Sequence, residues 1–469
     1  MEKLLKKLIE NNKNNIPMHM PGHKRNAKLL NSKIPYEIDI TEIEGFDNLH
    51  NPNGIIKESM DRAKSLYKSK KTFFSVNGSS AGNLAAIRAM TKKGDKIIVA
   101  RNCHKSVYNA IELFQLKPVY ILPDYDEEYG IFASINAKKL KKIIEENQDA
   151  SLVVITSPSY EGVISDIEKI SEICHKNNIP LMVDEAHGAH LFLEEKSALN
   201  KGADIVVNSL HKTLPSLTQT AIINIQGEIV DEKEIERQLS IFQSTSPSYI
   251  LLASIDECIN FMTKKGDMLY QKYLNNLRAF SRELNHLKNL KVLCYGNDNL
   301  TKHKNIFDFD GGKIVISCRG TNINGNDLIK ILRNKYSIEC EMASLDYVIA
   351  MTSLMDDKKA LKMLAKGIAQ LDKTLSSKAY KDKFKLELLQ QKYTICDCRE
   401  KNKKQIDFSQ SEGKISGEYI WIYPPGIPFI APGEKIDENI IKYIKVLSEN
   451  GFEIKSDNGT MPESITIVK

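Results

Sequence analysis

The chain has 469 residues, 42% hydrophobic and 27% charged, with 66 basic and 60 acidic residues and a net charge of +6. That length exceeds one simple core and predicts two or three domains of an ordinary globular protein. The mild charge, with no arginine block or basic–aromatic stripe, argues against nucleic acid, and no apolar run approaches the roughly 20 residues that span a bilayer.

The opening stretch, "MEKLLKKLIENNKNN", is a charged amphipathic start and not a signal peptide. Residues 1–70 are irregular, with one helical stretch near 56–68. Such a proline- and glycine-rich segment is expected to wrap the core or a partner subunit. From residue 72 a short apolar run, a turn and a helical stretch recur. The expected strands are "TFFSV" (72–76), "KIIVA" (96–100), "PVYIL" (118–122), "SLVVIT" (151–156), "PLMVD" (180–184), "DIVVN" (204–208) and "TAIINI" (220–225). In "DIEKISEICHKNN" (166–178), Ile167, Ile170, Ile173 and Cys174 share one helix face. Continuous apolar strands alternating with helices predict a mostly parallel sheet covered on both faces.

After about residue 250 helices dominate (250–288), followed by the strand "KIVISC" (313–318) and a helix over 326–336. Leu361, Leu364, Ala365 and Ile368 mark another amphipathic helix, which completes a second, smaller α/β unit. Residues 374–412 are polar and weakly patterned. The chain closes on "GEYIWIYPPGIPFIAPGE" (417–434), a strand and a proline-rich turn. The eight cysteines are scattered, none in C-x-x-C, with Cys396 and Cys398 the only close pair. This argues against structural zinc and suits a reducing compartment, so a cytoplasmic protein is expected.

Four places carry chemistry. In "FFSVNGSSAGNLAAIRAM" (73–90) a strand runs through Gly78, Ser79, Ser80, Ala81 and Gly82 into a helix. Free N–H groups, a helix dipole and hydroxyls make a phosphate cradle, although a capped structural turn reads equally well. It matches neither the nucleotide P-loop nor the dinucleotide fingerprint. In "IPLMVDEAHGAH" (179–190), Asp184 ends a buried strand, where ligands gather in α/β sheets. It serves either a turn cap or a cationic group of a ligand. His187 and His190 lack a third ligand for a metal. His104 follows the strand 96–100, and His211 and Lys212 follow the strand 204–208. A phosphate cradle, a flat histidine, a strand-end carboxylate and a strand-end lysine together describe a site for pyridoxal 5′-phosphate. Lys212 would bond the aldehyde, Asp184 would keep the pyridine nitrogen protonated, and Ser79, Ser80 and Ser209 would bind the phosphate.

On the motifs "HMPGHK", "FSVNGSSAGN", "RNCHKS", "SPSYEGVISDI", "VDEAHGAH", "NSLHKT", "STSPSYILLASID" and "YPPGIPFIAPGE", the sequence resembles the prokaryotic ornithine/lysine/arginine decarboxylases. It is nearest the short Gram-positive form, which is often assigned as arginine decarboxylase. The resemblance runs from residue 19 to 434. It implies an aspartate aminotransferase-like (fold type I) large domain with a mainly parallel sheet, plus smaller α/β C-terminal domains. The implied division is an N-terminal segment 1–70, a cofactor-binding domain 71–260, a small domain 261–373, a linker 374–412 and a C-terminal domain 413–469.

The resemblance also implies roles. Lys212 would be the Schiff-base lysine and Asp184 the pyridinium partner. His104 would stack on the ring, with Ala186 beneath its other face and His187 near the substrate side. Ser80, Ser209 and His211 would hold the phosphate with backbone groups of Ser79 and Ala81. Thr245 and Ser246 would reach it across a dimer interface. Glu434 would meet the distal cation of the substrate, and no metal is expected. His211 or Lys212 would protonate Cα. The receiver-like N-terminal domain of the large acid-induced members is expected to be missing, because "HMPGHK" begins at residue 19. A homodimer or dimer-built oligomer acting in polyamine biosynthesis follows. Decarboxylation of arginine is favoured, then of lysine or ornithine. The rivals are an aminotransferase, with Arg319 for the α-carboxylate, and an inactive homologue that binds and regulates an active partner.

Overall fold

Each run expected as a strand is one, and burial explains its composition: Ile97, Ile98, Val99, Val153, Val154, Val206 and Val207 are fully enclosed. Side chains on both faces of such a strand meet other elements, so neither face tolerates polar alternation. The computed structural model describes residues 3–14, 16–30, 33–296, 303–378, 387–423 and 426–469. Pro424 and Pro425 of the "YPPG" turn therefore lie outside the described residues.

The chain divides into two compact units. The first holds residues 1–90 and 180–270, the second 91–179 and 271–469. In the first, Lys71–Ser75 pairs antiparallel with Ala221–Ile225, which pairs antiparallel with Ile205–Ser209. That strand in turn runs parallel to Leu181–Asp184. Helices Ile55–Tyr67, Gly78–Met90 and Glu232–Phe242 belong to this unit, as do the first residues of the long helix Tyr249–Glu283. The opening residues, expected to be irregular, include the helix Leu4–Asn14, anchored by buried Leu4 and Leu8.

A buried polar chain crosses three strands of this unit. Asn208 Oδ1 accepts from Asn224 Nδ2 at 3.0 Å, and Asn224 Oδ1 accepts from Thr72 Oγ1 at 2.6 Å. Buried polar groups that satisfy one another in this way fix register at little net cost.

In the second unit, Lys96–Ala100 lies between Lys117–Ile121 and Ala150–Thr156, all parallel. The helix Ile167–Lys176 starts where the Asp166 side chain accepts from Lys169 N, and it buries Ile167, Ile170 and Cys174. A smaller antiparallel sheet joins Lys291–Leu293, Lys313–Ser317, Tyr347–Met351 and Met342–Ala343, beside helices Gly325–Tyr336 and Lys358–Asp372. The former helix opens on a capping box between Asn324 and Asp327. The C-terminal strands Pro428–Ile430, Ile420–Ile422 and Ile454–Ser456 and the helix Glu438–Glu449 share an isoleucine-rich core. The stretch read as a linker contains the helix Ile395–Arg399 and the strand Lys403–Asp407, which pairs with Ser464–Val468. Phe408, just past that strand, enters the core and Ile406 packs partly against it, while the rest of the strand is mostly exposed and shows little periodicity. Trp421, the single tryptophan, has Lys105 Nζ 3.4 Å from its ring centroid.

Candidate active site

The first unit brings three functional segments together. Leu181–Asp184 and Ile205–Ser209 are parallel, with Asp184 opposite Val207, so their carboxyl ends lie side by side. Gly78 turns the chain from strand to helix at φ +74°, a conformation that suits glycine, and its N–H donates to Gln219 O at 2.9 Å. One turn on, Gly82 lets the helix approach the sheet. A Cβ there would stand 2.9 Å from Val207 Cγ1 and 3.1 Å from Ile223 Cγ1. This close packing sets the helix start beside the end of the strand, where Ser209 Oγ donates to Ser79 Oγ at 2.9 Å.

Asp184 is buried, 2% exposed, and both of its oxygens are engaged. Oδ2 accepts from Asn83 Nδ2 at 2.9 Å and Oδ1 from Ala186 N at 3.1 Å. Asn83 was not expected as a functional residue. It stands inside the quoted "FSVNGSSAGN", and an asparagine among the buried Ala81, Gly82, Ala85 and Ala86 is the signal that would have found it.

Lys212 follows Ser209 on the short helix Leu210–Thr213. Its Nζ lies 2.9 Å from His187 Nε2, and since an ammonium only donates, Nε2 accepts. His211 Nδ1 donates to Thr220 O at 2.9 Å, which fixes the tautomer and leaves Nε2 for other partners. Burial lowers the pKa of His211; the hydrogen bond to Thr220 O works against that effect and the Lys212 charge adds to it. Ser80, Thr245 and Ser246 are exposed, whereas Ala81 and Ala186 are buried. The segment before Thr245 is tied down where Gln243 Oε1 accepts from Val76 N at 2.9 Å and His50 Nε2 donates to Ser244 O at 2.7 Å.

Glu185, next to Asp184, turns to other partners. It accepts from Ser197 Oγ at 2.9 Å, Ala198 N at 2.7 Å and Asn208 Nδ2 at 2.8 Å. Burial pushes its carboxyl up to about 7 despite these donors.

In the second unit His104 caps the helix Lys105–Leu113. Its Nδ1 accepts from Ser106 N at 3.2 Å, which leaves the hydrogen on Nε2 when the ring is neutral. Glu434 was expected to meet a substrate cation, and it already faces one from its own chain. Its Oε2 accepts from Arg101 Nη2 at 3.2 Å and from Ala431 N at 2.7 Å, with both side chains almost fully buried. Arg319 is likewise engaged, with Glu127 Oε2 at 3.2 Å and Asp346 Oδ2 at 3.7 Å.

Hydroxyls at a helix start suit a phosphate, a buried aspartate suits a protonated ring nitrogen, and the strand-end lysine suits an aldehyde. A lysine and an aspartate at neighbouring parallel-strand ends, beside that helix start, are the arrangement of a fold-type I α/β enzyme. The solved structure of lysine decarboxylase A from Pseudomonas aeruginosa has this fold. It matches with a TM-score of 0.85 at 19% identity, covering 100% of this chain and 80% of that one. Residues 3–328 match the family model of the Orn/Lys/Arg decarboxylase major domain, and residues 373–454 that of its C-terminal domain. The arginine decarboxylase of Bacillus subtilis is 31% identical over 467 residues, 97% of this chain and 95% of that protein. That of Bacillus anthracis is 31% identical over 476 residues, 98% of this chain and 96% of that protein. The chain belongs to the Orn/Lys/Arg decarboxylase family and is an amino-acid decarboxylase. Among the described residues, no helix is long and apolar enough to cross a membrane.

Proposed function

We propose that the protein releases carbon dioxide from a basic L-amino acid with pyridoxal 5′-phosphate as cofactor. Arginine to agmatine is favoured, ahead of lysine to cadaverine and ornithine to putrescine. The Asp184–Asn83 and Lys212–His187 pairs at adjacent strand ends carry this reading. The two Bacillus arginine decarboxylases support the choice of substrate. When bound, the cofactor supplies a conjugated ring that takes up the electron pair of the breaking Cα–carboxylate bond.

The protein's own groups do the rest. Asp184 keeps a proton on the ring nitrogen, and Asn83 and Ala186 N–H fix its carboxylate. His187 Nε2 orients Lys212 Nζ and draws on its proton. Ser79, Ser80, Ala81 N–H, Ser209 and His211 bind the phosphate, joined by Thr245 and Ser246 of a second copy. His104 and Ala186 would hold the ring, as the family resemblance implies. The proton returned to Cα comes from Lys212 Nζ, or from His211 in its doubly protonated form, since in the neutral ring the one hydrogen lies on Nδ1. Exposed Ile16, Met18, Met20, Leu29 and Ile34 supply apolar surface for a homodimer. Eight cysteines outside any disulfide suit the cytoplasm, and the product class suits polyamine biosynthesis.

The test offers arginine, lysine and ornithine separately to purified protein with pyridoxal phosphate and identifies products by mass. Agmatine, cadaverine or putrescine confirms the reaction and settles the substrate. A keto acid in place of an amine would establish the aminotransferase. Lys212→Ala is expected to fold normally, to lose the imine absorbance and to make no amine; unchanged activity in it overturns the mechanism.

A further inference from the structure

One groove of the second unit is lined by bases that their own helices leave without a counter-charge. It holds about 690 Å3 and lies between the end of the long helix Tyr249–Glu283 and the helix Lys358–Asp372. Arg282 and His286 stand on one side and Lys359, Lys362 and Lys366 on the other, and Glu283 is the one acid among the described residues that line it. Elsewhere several exposed helix lysines meet a carboxylate one turn away, as Lys57 does with Asp61, Lys141 with Glu145 and Lys442 with Glu438. Here the position one turn after Lys362 is another lysine, Lys366, a spacing at which like charges repel. Among the described residues, Arg282, Lys359, Lys362 and Lys366 make no ion pair.

The helix Lys358–Asp372 carries no acid before its last residue. That residue, Asp372, is 3% exposed and turned inward, where it accepts from the backbone N–H groups of Lys288 at 2.9 Å, Asn289 at 2.8 Å and Leu290 at 2.7 Å. It thus ties the chain that leaves the long helix to the helix that bears the lysines. The groove is a preformed shape, and binding there needs little ordering of the backbone. Lys359 to Lys366 rise about 10 Å along the helix axis. An extended peptide spans that length with about three residues, whose few charges have to offset the ordering of a flexible chain. A short polyphosphate chain puts more negative charge into the same distance, and lysine ammonium groups meet it as point charges.

We infer that this groove binds a short polyphosphate chain, either free or carried by a nucleotide. The inference lies within the second unit and does not depend on the decarboxylase reading. Calorimetry at low ionic strength on the full-length, cofactor-loaded protein uses inorganic tripolyphosphate, ATP and hexaglutamate as separate probes, without divalent metal. Tripolyphosphate is expected to bind, and the double variant Lys362→Ala, Lys366→Ala to weaken it about tenfold or more. Both lysines are exposed, so the fold is expected to persist. ATP binding as tightly as tripolyphosphate supports a nucleotide as carrier, and much weaker ATP binding supports the free chain. Lys141→Ala with Lys442→Ala removes the same charge from faces where each lysine already has its carboxylate, and is expected to leave the affinity unchanged. A wild type that binds no tripolyphosphate overturns the inference, as does equal affinity in wild type and the groove variant. An equal loss in the two double variants overturns it too, because it marks binding by net charge alone. Tighter binding of hexaglutamate than of tripolyphosphate overturns it in favour of an acidic peptide. If the groove variant does not fold, Met363→Glu places an opposing charge at a 48% exposed position in the lining; undiminished tripolyphosphate binding there overturns it equally.

Discussion

Glu185 in the first unit and Glu434 in the second are both 1% exposed, and they are held by opposite means. Glu185 accepts only from neutral donors, the Ser197 hydroxyl, the Ala198 N–H and the Asn208 amide. Glu434 faces the guanidinium of Arg101, which lies 5.5 Å from the Tyr108 ring centroid and 5.4 Å from that of Tyr120. Burial raises the pKa of both carboxyls, that of Glu185 to about 7. Burial alone would strip Arg101 of its proton more readily, but Glu434 and the two tyrosines hold it firmly charged. The lesson concerns what each device is for. A neutral cage holds residues 12 to 23 positions apart and lets its acid take up a proton without leaving a stranded charge. A caged ion pair joins residues more than 300 positions apart, and it fails badly if one member is removed.

Arg101→Met, Glu434→Gln and Glu185→Gln probe that contrast, and Asn83→Ala probes the hold on Asp184. Arg101→Met strands the Glu434 carboxylate and is expected to cost about 3–5 kcal/mol in urea denaturation. Adding Glu434→Gln should recover much of the loss, whereas a single-variant cost under about 1 kcal/mol would show that the pair does not tie the segments. Glu185→Gln acts through pH. The folded state keeps the Glu185 proton up to about 7, while the unfolded chain loses it near 4.5. This contribution to stability is therefore whole below pH 4.5 and falls as pH rises through 7, by an amount on the order of 3 kcal/mol. The glutamine variant lacks that fall. Melting curves at pH 4.5 and 8 should show wild type losing ground to it, and parallel behaviour would refute the raised pKa. Asn83→Ala has the smallest effect on folding. It removes one donor from Asp184, and turnover is expected to drop about tenfold with the melting temperature nearly kept. A variant with full activity would show that Asn83 does not position the carboxylate.

Much of this was legible in the sequence, for definable reasons. A strand buried on both faces has to be an apolar run, so "KIIVA" could be read as the strand Lys96–Ala100 without error. Asp184 and Lys212 were legible because a polar residue that ends such a run stands out. Pairing direction was not, since nothing in "TAIINI" says that both of its neighbours run antiparallel to it. The strand Lys403–Asp407 stayed hidden because it is largely exposed. Asn83, Glu185 and Asn208 were missed because each draws its meaning from partners on other elements. Glu434 shows the same limit more sharply: the family resemblance implied a substrate cation for it, while its partner, Arg101, lies 333 positions away.

The lone indole has a use beyond packing. Trp421 stands on the strand that leads into the segment pinned by Arg101, under the Lys105 ammonium. With no other tryptophan in the chain, ultraviolet emission excited at the red edge of the spectrum comes from one address. The protein therefore carries its own unlabelled optical gauge for that segment, readable in dilute solution and on the timescale of a mixing experiment.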